Sequence, residues 1–172
     1  AADVPAVGKV TRLIPRADLT RASSTVRLGE NYAVAENDRI RTGSGGRTRV
    51  ALNDGSIINV GSASELVVRS AKDASQASTL ELRYGRLRAW VTARAGPGSF
   101  QVRTNTAVCG ILGTTVFVDA TRDLTRIANL SEEATARVRV TSTSAAVVQE
   151  VVLLPGEGTA VPSNRPPQPP RR

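Results

Sequence analysis

Three pairs of arginines recur at a spacing of two: Arg47 and Arg49, Arg86 and Arg88, Arg137 and Arg139. In an extended chain, side chains two positions apart leave the same face. Each pair therefore presents two guanidinium groups in one direction, and pairing of neighbouring strands would join them into a basic ladder. The planar guanidinium fork matches carboxylate and phosphate oxygens. Such a face would attract phosphates, anionic lipids, uronic acids of an envelope polymer, or an acidic protein. The same pattern also fits a solvated outer face whose charge blocks edge-to-edge aggregation. Nucleic acid is the weaker partner class, because base stacking needs exposed rings. The chain has few aromatic residues, and Tyr84, Trp90 and Phe100 fall in alternating runs that predict burial.

Most catalytic chemistry is excluded by composition. The 172 residues contain no histidine and one cysteine. No Ser-His-Asp or Cys-His pair can form, a Cys/His zinc site cannot be assembled, and an internal disulfide is impossible. The 15 Asp and Glu residues are dispersed, and none stand out as a pair for glycoside hydrolysis. No catalytic residue, metal or cofactor is therefore assigned, and the chain reads as a non-enzyme. Cys109, between Val108 and Gly110, reads as a small buried hydrophobe. Asp54-Gly55-Ser56 reads as a hairpin turn with local backbone bonds, the alternative being a ligand-contacting tip. Gly110 and Gly113 read as sites of close backbone approach or positive φ in a bend, the alternative being an anion-binding nest. Tyr84-Gly85-Arg86 reads as a tight reversal.

The elements that must position these residues are strands. Residues 49–53, 79–84, 86–91, 99–103 and 136–141 alternate apolar with polar or charged side chains. A period of two buries one face and wets the other. Thr, Val and Ile are plentiful and suit a pleated, half-buried surface. Turn signals at Asn37-Asp38, Gly45-Gly46, Asp54-Gly55, Gly85, Gly96-Pro97-Gly98, Gly113 and Pro155-Gly156 separate the runs. The pattern predicts an all-β fold of stacked short antiparallel strands, a solenoid or roll or a sandwich, with little or no helix. Ser70–Ser78 reads as a loop, and Asn129–Ala136 has room for one helical turn capped by Ser131.

Charge and punctuation divide the chain further. The 23 basic residues are 21 Arg and 2 Lys, for a net charge of +8 spread evenly along the sequence. No stretch approaches the ~20 apolar residues of a membrane span. The start, Ala1-Ala2-Asp3-Val4-Pro5, is like an end left by signal peptidase. Three segments follow: 1–6 as a processed leader end, 7–161 as one β domain, and 162–172 as a Pro-rich extended arm. Pro162, Arg165, Pro166, Pro167, Pro169 and Pro170 mark that arm, in which proline cannot donate to a ladder. The expected location is periplasmic or extracellular.

The ordered run of motifs resembles the FecR-type periplasmic domain family over about residues 7–161. Val7-Gly8-Lys9-Val10 opens it. Asn37-Asp38-Arg39-Ile40-Arg41-Thr42-Gly43, Leu52-Asn53-Asp54-Gly55-Ser56-Ile57 and Leu80-Glu81-Leu82-Arg83-Tyr84-Gly85-Arg86-Leu87 follow. Phe100-Gln101-Val102-Arg103-Thr104, Gly110-Ile111-Leu112-Gly113-Thr114 and Leu153-Leu154-Pro155-Gly156-Glu157-Gly158 complete it. The resemblance implies an all-β extracytoplasmic module without enzymatic activity and with no catalytic residues to carry over. Its best-known members are inner-membrane anti-sigma regulators that receive a signal from outer-membrane siderophore transporters. Those carry a sigma-binding segment and one membrane span ahead of the domain, neither of which is seen in this sequence.

Taken together, these features set up an expectation of function through protein–protein contact or self-association. The primary expectation is a structural or assembly subunit of the envelope or an extracellular fibre, with the arm lying on a neighbour. The alternative is a sensory receiver domain of the regulator type. A third is a polyanion-binding module using the arginine faces.

Overall fold

The computed structural model describes residues 5–69, 78–92, 100–144 and 146–172. Residues 1–4, the Gly96-Pro97-Gly98 turn and all of the 70–78 loop except Ser78 lie outside the described residues. Within them the chain forms sixteen strands and no helix. They are β1 (Ala6–Ile14), β2 (Ala17–Arg21), β3 (Ser24–Arg27), β4 (Ala33–Ala35), β5 (Arg39–Thr42), β6 (Arg47–Leu52), β7 (Ile57–Val60) and β8 (Glu65–Arg69). Then come β9 (Ser78–Trp90), β10 (Phe100–Arg103), β11 (Ala107–Leu112), β12 (Thr115–Ala120), β13 (Leu124–Asn129), β14 (Arg137–Ser142), β15 (Glu150–Leu153) and β16 (Gly158–Pro162). The all-β expectation holds.

One continuous, unclosed ladder folds into two halves. Half A runs β4-β1-β6-β7-β9-β12-β13-β16. Half B runs β3-β2-β5-β8-β9-β10-β11-β14-β15. All described pairings are antiparallel except β9 with β10. Strand order nearly follows sequence order in both halves. The chain crosses between them after every one or two strands and so grows along one axis.

β9 belongs to both halves. Its first part, Thr79–Tyr84, pairs with β8 in half B. Its second part, Gly85–Trp90, pairs with β12 in half A, and Leu87–Trp90 also pairs with β7. The change of sheet occurs at Gly85, whose φ is +100°. A Cβ there would strike the Ser64 side chain. The Tyr84-Gly85-Arg86 segment is therefore a bend within one 13-residue strand and not the expected reversal. The turn signal was real, since only glycine tolerates that φ without strain. The flanking strands on both sides keep β9 extended through it.

The alternating side chains meet in a single core. Val10, Val50, Ile58, Leu87, Val116 and Ile127 enter from half A. Leu19, Ile40, Leu66, Leu82, Phe100, Ile111 and Val140 enter from half B. Each such burial contributes roughly 1.5–3 kcal/mol. Cys109 lies fully inside this core, and burial pushes its thiol pKa far up because the thiolate cannot be solvated.

Polar side chains tie the turns. Asp38 is fully buried and accepts bonds from Arg21 Nε (2.9 Å), Arg21 Nη2 (2.7 Å) and the Ala35 amide (2.7 Å). The hydrogen bond to Asp38 raises the Arg21 pKa above its ordinary value, against a smaller lowering by burial. Asp38 thus locks the corner joining β2, β4 and β5. Thr104, Thr106 and Thr125 bond one another through hydroxyls at 2.6 and 2.7 Å, and Thr106 Oγ1 donates to the Val161 carbonyl at 2.7 Å. This buried chain of bonds links the end of β10 in half B to β13 and β16 in half A.

The segment 129–136 makes no helical turn. Asn129, not Ser131, is the organising residue: its Oδ1 accepts the Ser131 amide and its Nδ2 donates to the Leu153 carbonyl. A buried amide at the end of β13 satisfies this connection more fully than a capped turn could.

The Pro-rich arm does not project. Arg171 and Gly158 exchange backbone bonds at 2.9 and 2.7 Å, the Gln168 amide donates to the Ala160 carbonyl, and Thr159 Oγ1 donates to the Gln168 carbonyl. Pro167 is buried. The arm lies along the outer edge of β16, so the donors it lacks at its prolines are supplied at Gln168 and Arg171.

Candidate functional site

Strand register decides which arginines meet. On the outer face of half A, Arg12 lies opposite Arg49, Arg49 opposite Asn59, Asn59 opposite Arg88, and Arg88 opposite Phe117. A second row places Arg86 opposite Asp119 and Asp119 opposite Arg126. Arg47 extends the pattern on β6, one step along from Arg49 on the same face. Of the six arginines singled out from spacing, Arg47, Arg49, Arg86 and Arg88 therefore share one surface. They line an open groove of about 680 Å3 together with Ile57, Asn59, Gly61, Trp90 and Phe117.

Arg137 and Arg139 sit elsewhere, on β14 in half B. Arg139 Nη1 is 3.0 Å from Glu150 Oε1, and Arg137 Nη1 donates to the carbonyls of Ala134 and Ala136. Spacing alone could not separate these two from the other four, because each pair looks alike until the strands are assigned to sheets.

The two outer faces differ in how charge is arranged. The strands of half A, with β9 counted from Gly85 on, carry seven cations and one carboxylate, Asp119. Arg86 Nε stands 3.8 Å from Asp119 Oδ2, a long and exposed contact that surface screening makes weak. Half B is also basic, but its signs alternate across strands: Arg27, Asp18, Arg41 and Glu65 follow one another in register. Arg69–Glu81 and Arg83–Glu65 pairs continue that pattern at 3.0 and 3.8 Å. Like charges directly opposite each other destabilise a sheet. Half A carries that cost in the Arg12–Arg49 pair; half B does not.

Two features preorganise the half A face. Arg49 Nε donates to Asn59 Oδ1 at 2.9 Å, which orients one guanidinium across the strand gap. Gly61 lies against Arg86, its amide donating to the Arg86 carbonyl at 2.9 Å. A Cβ on Gly61 would stand 3.1 Å from Arg86 Cβ, so the missing side chain lets the backbones approach closely beside that arginine.

Trp90 is the residue that sequence reasoning missed. Alternation places it out of phase with Leu87 and Ala89, and it is 49% exposed. It lies between Ile57 of β7 and Thr115 of β12, with Leu130, also exposed, bonded through its amide to the Thr115 carbonyl. Phe117 is half-buried on the same face, and Phe100 is buried. The signal was present in Arg86-Leu87-Arg88-Ala89-Trp90, where Trp90 shares parity with the arginines.

The remaining residues singled out from sequence take backbone roles. Asp54 Oδ1 accepts the Ser56 amide at 2.8 Å in the β6–β7 hairpin, with Gly55 at φ +90°. Gly113 has φ +54° in the short link from β11 to β12. Gly110 is an ordinary strand residue with 4.0 Å of room for a Cβ, so neither positive φ nor close approach explains it. No group of acidic, cysteine or histidine side chains suited to a metal occurs among the described residues.

Comparison with known proteins gives a family and a fold. The model of the family described as FecR protein matches residues 38–133, more than half of the chain. No curated protein matches. Two crystal structures of a candidate anti-sigma factor from Parabacteroides distasonis superimpose with TM-scores of 0.63 and 0.60, at 21% and 22% identity. Each covers 78% of this chain, and this chain spans 59% of the neighbour's length. The expectation of a fibre or envelope assembly subunit is overturned by these findings: the matching family model is that of FecR protein and the solved structures that share the fold are described as an anti-sigma factor, which favours the signalling alternative. The arm on which that expectation leaned lies on the chain's own β16. With its ordered motifs, its all-β ladder and its matched family model, this chain belongs to the FecR protein family.

Proposed function

We propose that the chain is the extracytoplasmic, non-catalytic receiver domain of a cell-surface signalling regulator of the anti-sigma type. The observation that carries this reading is the family match across the centre of the chain, joined to a fold shared with candidate anti-sigma factors. The site chemistry agrees with it. The half A groove is shallow and basic and bears a half-exposed tryptophan, a composition suited to macromolecular contact. In this reading residues 7–161 form the receiver and 162–172 guard its last edge. The domain stands in the periplasm, where it passes on a protein-borne signal by a change of binding partner.

The test is genetic. The segment encoding this chain is deleted in its source bacterium, and transcripts are profiled with and without restoration of the segment. A several-fold change in a set of genes sharing one alternative promoter class, reversed on restoration, is the expected result. An unaltered profile would remove the regulator reading.

A further inference from the structure

We infer that the outer face of half A is the docking surface for an acidic segment of a partner protein. Carboxylates of that segment lie across the arginine rows, and one apolar side chain of it sits on Trp90. The inference deepens the receiver reading and rests on it only for the partner being a protein.

Charge complementarity carries the argument. Arg47, Arg49, Arg86 and Arg88 line one groove, Arg12 adds to it across the register, and Asp119 is the single carboxylate on the strand segments that pair within this half. Arg47 and Arg88 have no ion-pair partner among the described residues. Half B alternates its charges instead. A solvated face needing only solubility has no reason to set its cations side by side with hardly any carboxylate among them. An acidic ligand relieves the repulsion when it binds, and the field steers its approach.

The second observation selects protein over a plain polyanion. Trp90 is half-exposed beside Ile57 at one end of the groove, next to the arginine rows. A polyphosphate chain uses the charges alone, whereas a peptide uses the charges and the apolar step. Arginine and tryptophan are the residue types that dominate protein hot spots. The Arg49–Asn59 bond holds one guanidinium in place before the partner arrives and the Gly61–Arg86 backbone bond fixes the strand beneath a second arginine, which lowers the ordering cost of binding.

The experiment uses the full-length gene product in its source bacterium. A photo-crosslinking aromatic amino acid replaces Phe117 in the groove or Gln101 on the outer face of half B. Captured peptides are mapped by mass spectrometry. The expected result is a discrete protein adduct from position 117 and none from 101, mapping to a segment with an excess of Asp and Glu. Its yield falls about tenfold or more in the double variant R86E/R88E and in W90A, and is kept in R88K. Equal adducts from both positions, a captured segment that is neutral or basic, or a yield indifferent to R86E/R88E overturns the proposal. So does the absence of any protein adduct while the purified chain binds heparin in a way that R86E/R88E abolishes and W90A leaves intact. The transcript test above is separate: a specific acidic adduct without any transcript change would sink the regulator reading and leave this surface standing.

Discussion

At the scale of single residues, two glycines that look alike in sequence carry opposite expectations. Gly85→Ala places a methyl group against Ser64 at a φ of +100°, where an L residue is strained. A loss of about 2–5 kcal/mol is expected from the combined clash and strain, measured by urea unfolding. Gly110→Ala meets nothing closer than 4.0 Å and removes backbone freedom from the unfolded chain, so it should be neutral or stabilise by under about 1 kcal/mol. Cys109 gives a pH signature. Its thiol pKa is raised in the folded state, so the folded form keeps the proton after the unfolded thiol has begun to lose it. Stability is then intact below the ordinary thiol value of about 8.5 and declines as pH rises above it. Wild type should lose more stability than Cys109→Ala between mildly alkaline and strongly alkaline pH. The native thiol should also resist alkylating reagents until the chain unfolds. Parallel pH curves for the two proteins would show that the cysteine does not titrate on unfolding.

At the scale of elements, the edges and corners hold the consequences. β16 would be an open edge without the arm, and an unpaired edge is a template for pairing with another chain. Truncation after Pro162 removes the bonds that Gln168 and Arg171 make to Ala160 and Gly158. The truncated chain should self-associate at concentrations where the full chain does not, as read by light scattering after size exclusion. This is the reverse of an arm that drives assembly, in which truncation would abolish association. At the other end, Asp38→Ala strips the guanidinium of Arg21 and the amide of Ala35 of a buried acceptor. Arg21 is partly exposed and regains water, so the cost should be about 2–4 kcal/mol and not the full penalty of a wholly buried pair. A loss well below that range would mean the corner is held by backbone bonds alone.

At the scale of the whole molecule, β9 couples the halves, because a strand in the middle of half B continues as a middle strand of half A. Trp90 is the single tryptophan and reports on half A. Its fluorescence and the far-UV circular dichroism should lose their native signals at the same urea concentration, and separate midpoints would mean the halves unfold independently. Alternation, glycine and Asp-Gly turns, and the lack of histidine settled the all-β class, the single core and the want of familiar catalytic groups, because burial with period two and side-chain chemistry are local properties. Even the outward parity of Trp90 was written in its run with Arg86 and Arg88. Sequence could not place Arg137 and Arg139 away from the other four arginines, turn the Gly85 reversal into a bend, or lay the arm on β16. Those depend on which strands pair and in what register, and pairing is decided by contacts between residues far apart in the chain. The charged face of half A exists only because that pairing set like-charged strands side by side.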